Sequence, residues 1–72
     1  MNESELNAKY TVAFVNSLHI DDYGCFMVSE SDAHRLASLN TGKPVAAVKG
    51  NVWIEVESVA DGELIGKKLE VV

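Results

Sequence analysis

The segment "PVAAVKGNVWIEVESV", residues 44–59, restricts this chain more than any other stretch. Two runs of small and β-branched apolar residues flank Gly50-Asn51, a pair that accepts the left-handed dihedrals of a tight hairpin turn. If only those two residues make the turn, Val48 faces Trp53, Ala47 faces Ile54 and Val45 faces Val56. Side chains alternate along a strand, so this register also assigns faces. Val45, Ala47, Val52, Ile54 and Val56 form the face expected to enter a core. Ala46, Val48, Trp53, Glu55, Glu57 and Val59 form the other. A sealed strand interior does not carry two unpaired glutamates, so the second face is expected to meet solvent or a partner.

The remaining elements follow from local chemistry. Residues 10–20 alternate, with Tyr10, Val12, Phe14, Leu18 and Ile20 on the even positions, which predicts a strand bent near Asn16-Ser17 with its even side toward the core. "DDYG" (21–24) is a turn and "CFMV" returns as a second strand. In "SESDAHRLASLNTGKP", Ser29 predicts an N-cap, with Asp32 completing a capping box and Val28 and Ala33 forming a hydrophobic staple. Ala33, Leu36, Ala37 and Leu39 make a narrow apolar stripe, and Gly42 and Pro44 end the helix. "ADGE" (60–63) is another turn. "KKLEVV" predicts a last strand, and Gly66 marks a bulge or bend before it. The order β-β-α-β-β-β predicts an α+β domain: a small, mostly antiparallel sheet with one short helix on one face. Residues 1–8 are expected to be a flexible polar tail and residues 9–72 the single domain.

Seventy-two residues supply a thin core, and the single cysteine, Cys25, excludes an internal disulfide. A lone thiol fits a reducing, cytoplasmic setting. A second copy or another partner is the natural supplement, so a homodimer is an expectation. No apolar run reaches membrane-spanning length, and no membrane partner is expected. Eleven acidic residues against six basic ones give a net charge of −5, which disfavours direct nucleic-acid binding and favours a partner with a basic surface.

Catalytic and metal chemistry find little support. His19, Asp21 and Asp22 lie together near Cys25, yet a transition metal needs three or four converging donors. Cys25 and His34 could be a nucleophile and a base, but Cys25 sits in an apolar strand and no third group orients the imidazole. The glycines punctuate turns and never cluster as a phosphate loop. No catalytic residue, metal ligand or cofactor is assigned, and the chain is not expected to be an enzyme.

What remains is protein–protein contact. Trp53, with Val48 and Ala46, makes an apolar island flanked by Glu55 and Glu57, the arrangement of an interface anchor with a charged rim. The expected function is that of a small acidic binding module, an adaptor or inhibitor. Short acidic chains of this build also occur among phage and other mobile-element accessory proteins, some of which present carboxylates where phosphates would bind. A self-associating structural subunit is the alternative.

Overall fold

The computed structural model describes residues 1–39 and 42–72. Along the chain run α1 (Glu3–Lys9), β1 (Thr11–Phe14), β2 (His19–Ile20), β3 (Phe26–Met27), α2 (Glu30–Ser38), β4 (Val45–Lys49), β5 (Val52–Ala60) and β6 (Glu63–Leu69). The strands form one six-stranded sheet in the order β1-β4-β5-β6-β3-β2. It is mixed: β1 and β4 run parallel, and every other neighbouring pair is antiparallel. The α+β class expected from the sequence is present. The element order is α-β-β-β-α-β-β-β rather than β-β-α-β-β-β, because a second helix precedes β1 and three strands, not two, precede α2.

The β4–β5 hairpin has the predicted register: Val45 opposite Val56, Ala47 opposite Ile54, Val48 opposite Trp53. Gly50 takes the turn at φ +59° and Asn51 does not share the positive φ, the pattern of a type II′ turn. In the β5–β6 turn both Asp61 (φ 53°) and Gly62 (φ 78°) are left-handed, the type I′ pattern that Asp-Gly favours.

One face of the sheet holds the main core. Ala13, Val15, Leu18, Val28, Val45, Ala47, Ile54 and Leu64 are buried there with Leu36 of α2, and Ala33, Leu39, Val52, Val56 and Val59 pack around them. Ser29 caps α2, its Oγ accepting from the Asp32 amide at 3.2 Å. The reciprocal half of the capping box is absent. The Ser29 amide donates to Ser17 Oγ at 2.8 Å, and the Asp32 carboxylate accepts from the Ser17 hydroxyl instead. This exchange ties the β1–β2 connection to the start of α2. The apolar stripe is narrower than expected, since Ala37 is exposed. The helix ends at Ser38 with Leu39 as its C-cap, ahead of the Gly42 and Pro44 expected to end it, and Gly42 takes a positive φ of 79°.

Three expectations are corrected. First, residues 1–8 are not a free tail: Asn2 caps α1 by accepting from the Glu5 amide at 2.8 Å, and Leu6 is 0% exposed. Second, residues 10–20 do not form one strand. β1 and β2 lie at opposite edges of the sheet, joined by a segment whose Val15 and Leu18 enter the core. Because β1 joins β4 with Thr11 beside Val45 and Ala13 beside Ala47, its odd residues face the core. Phe14, placed by even-position alternation in the core, is 69% exposed. Third, the last strand begins at Glu63 rather than within "KKLEVV". Beyond Glu63 and Leu64, which pair with β3, the outer side of β6 has no strand neighbour among the described residues, so Lys67 and Lys68 lie on a stretch of open edge.

Gly66 marks the irregularity expected of it, though the bulge is on the partner strand. Val56 pairs with Gly66 and Ser58 with Ile65, leaving Glu57 as the extra residue of β5. The extra residue reverses the alternation beyond it. Val59, expected beside Trp53, therefore packs in the main core with α2. At Gly66 the backbones approach so closely that an added Cβ would stand 1.8 Å from the Glu55 carbonyl oxygen.

Candidate functional site around Trp53

The second face of the sheet is built from alternate residues of four strands. Register places Val12 and Phe14 of β1 beside Ala46 and Val48 of β4, then Glu55 and Trp53 of β5, then Lys67 and Leu69 of β6. Trp53 thus leaves the main core on the side opposite Ile54, as its alternation requires. It is half-buried, between Val48 on one side and Leu69 on the other.

Ala46 is 0% exposed and Val48 3%, although both face away from the main core. Something covers them, and α1 is the element placed to do so. Leu6 is fully buried yet stands outside the main core cluster. Tyr10, at the end of α1, donates its hydroxyl to Glu55 Oε2. Glu3, Asn7 and Tyr10 share an open groove with Val12, Phe14, Val48 and Trp53. The chain ends meet as well, the Val72 amide donating to the Met1 carbonyl at 2.9 Å.

The five residues expected to form a binding surface therefore separate. Ala46 and Val48 are sealed and serve as floor. Glu55 is half-buried, with one carboxylate oxygen engaged by Tyr10, whose own ionisation is pushed above the usual phenol range, first by that hydrogen bond and then by burial and the carboxylate's charge. Glu57 is exposed at the bulge. Trp53 remains half open at the side of the groove. Sequence reasoning missed Phe14, which presents the largest exposed aromatic surface on this face. The signal that locates it is its place in a strand whose odd side fills the core, and that phase is set by the distant β4.

Asp21 Oδ1 accepts from the Tyr23 and Cys25 amides, both at 2.9 Å, which builds the "DDYG" turn. The Cys25 thiol is held above its ordinary range, chiefly by its hydrogen bond with Glu63, and then by burial and the charges of Asp21 and Glu63. A raised pKa leaves little nucleophilic thiolate at neutral pH. His19 Nδ1 lies 3.3 Å from the Ser17 carbonyl oxygen, while His34 lines a separate depression with Glu30 and Asp61. Among the described residues, no three His, Cys, Asp or Glu side chains are grouped to hold a metal ion. No helix among them is long and apolar enough to cross a membrane.

Comparison with protein-family models, curated proteins and solved structures finds no match to this chain.

Proposed function

We propose that this chain is a protein-binding module whose docking centre is the groove between α1 and the second sheet face, with Trp53 as its anchor. The observation that carries this reading is the half-buried indole sharing one open groove with the exposed Phe14, over a floor of buried Ala46 and Val48. A half-buried tryptophan loses little entropy on binding because its ring is already held, and the apolar area it still exposes is what a partner would cover. The net charge of −5 and the exposed Glu57 favour a partner with a basic contact surface. The protein would then act as an adaptor or inhibitor rather than by its own chemistry.

Affinity capture from the native host tests this reading, using wild type and Trp53→Ala side by side. The expected result is a defined partner retained by wild type and lost by Trp53→Ala, with unchanged far-ultraviolet circular dichroism. Equal retention by a folded Trp53→Ala would contradict it.

A further inference from the structure

The edge of β1 at Val12 and Phe14, which has no strand beside it among the described residues, is the feature that the groove alone does not explain. The Thr11 amide donates to the Pro44 carbonyl at 2.8 Å and the Val15 amide to the Val48 carbonyl at 2.9 Å. In a parallel pair these donors show which residues of β1 turn their backbone toward β4: the odd ones. The amides and carbonyls of Val12 and Phe14 therefore point to the open edge. Their side chains lie on the second sheet face, where Phe14 is 69% exposed. Arg35, reaching from α2, donates to the Phe14 carbonyl and to Asp32 Oδ1. A guanidinium placed this way satisfies one edge acceptor and keeps a neighbouring strand off it, a common way of guarding an edge.

We infer that β1 pairs antiparallel with β1 of a second copy, about a twofold axis at Ala13. This register is self-complementary. Val12 then faces Phe14 of the second copy, and Phe14 faces its Val12, each pair exchanging both backbone hydrogen bonds. Opposite residues of an antiparallel pair share a face, so each exposed phenyl ring gains an apolar neighbour on the second face. At the axis the small Ala13 meets its own copy. A chain with so thin a core gains most from such a supplement. Arg35 gives up the Phe14 carbonyl as the pair forms. The contact is short, so the dimer is weak, with Kd on the order of 0.1 mM.

The consequence for the groove rests on the reading above. Pairing makes one continuous twelve-stranded sheet in which the two Trp53 grooves open on the same face. Five strand spacings separate the two copies of β5, which places the two anchors roughly 24 Å apart. A partner that offers two contacts at that separation binds with avidity, whereas one contact alone is weak.

Light scattering and amide exchange by NMR test the dimer on the full chain, from about 10 µM to 1 mM. The weight-average mass is expected to rise toward twice 7.8 kDa. The Val12 and Phe14 amides are expected to gain protection with concentration, while those of Thr11 and Val15 stay protected throughout. Phe14→Lys, an exposed substitution that keeps the fold, is expected to hold the chain monomeric. Arg35→Ala, which uncovers the Phe14 carbonyl, is expected to tighten association several-fold. A wild type that stays monomeric at 1 mM, a dimer that leaves the Val12 and Phe14 amides unprotected, or a Phe14→Lys variant that still associates would each overturn the inference. A monomer that captures its partner through Trp53 would refute only the dimer. A dimer whose capture ignores Trp53 would refute only the docking site.

Discussion

The Tyr10 hydroxyl donates to the Glu55 carboxylate across a separation of 45 residues, joining the end of α1 to the middle of β5. This bond ties the end of α1 to the sheet face that carries Ala46, Val48 and Trp53. Replacing Tyr10 by Phe keeps the ring and deletes the donor. A loss of about 1–2 kcal/mol is expected in urea unfolding, because a half-buried carboxylate is left short of a partner. Emission from Trp53, the only tryptophan, should move to longer wavelength as α1, the roof over that face, loosens.

The same bond has a pH signature. The Tyr10 pKa is raised in the fold, so the folded state holds the phenolic proton more tightly than the unfolded chain does. Its contribution to stability is complete below the unfolded pKa of about 10 and is lost as pH rises through the folded value. In a Tyr23→Phe background only Tyr10 titrates in the ultraviolet. Glu55→Gln is expected to lower that titration, and an unchanged midpoint would show that the carboxylate does not control it.

Asp32 works in the opposite sense. The Ser17 hydroxyl, then the Ser17 amide and Arg35, hold its carboxyl below the usual carboxylate range, against a smaller upward push from burial. A depressed folded pKa contributes stability that is present above about pH 4 and lost as pH falls through the folded value. Asp32→Asn is expected to be less stable than wild type at pH 7 by about 1–2 kcal/mol, and to lose less further stability on acidification. Parallel acid unfolding curves for the two proteins would count against the Ser17–Asp32 link.

Two glycines separate steric from conformational cost. At Gly66 an added methyl would overlap the Glu55 backbone, so Gly66→Ala is expected to cost more than about 3 kcal/mol or to prevent folding. Gly24 has a φ of 82° with open space around it, and Gly24→Ala is expected to cost only about 1 kcal/mol. Thermal unfolding of both variants checks the order.

What the sequence reveals about this fold follows the range of the interactions involved. The β4–β5 hairpin is readable because Gly50-Asn51 fixes the pairing of Val48 with Trp53 locally. The Ser29 cap and the Asp61-Gly62 turn are local in the same way. Helix α1 escapes notice because Leu6 is its one buried residue, and one residue has no period. The phase of β1 is set by β4, more than thirty positions away, so the richer apolar content of its even side points the wrong way and leaves Phe14 misplaced. Val59 changes face because one bulged residue, Glu57, breaks an alternation that is otherwise regular. The site was legible as a tryptophan beside two glutamates, while its roof was not.

Acrylamide quenching of Trp53 fluorescence, in wild type and in Leu6→Ala, most directly tests whether α1 leaves the anchor half open. Wild type should quench at a rate between that of free indole and that of a sealed ring, and Leu6→Ala, which unseats α1, should approach free indole. A wild-type ring as protected as a fully buried tryptophan would contradict the account, because no partner could then reach it.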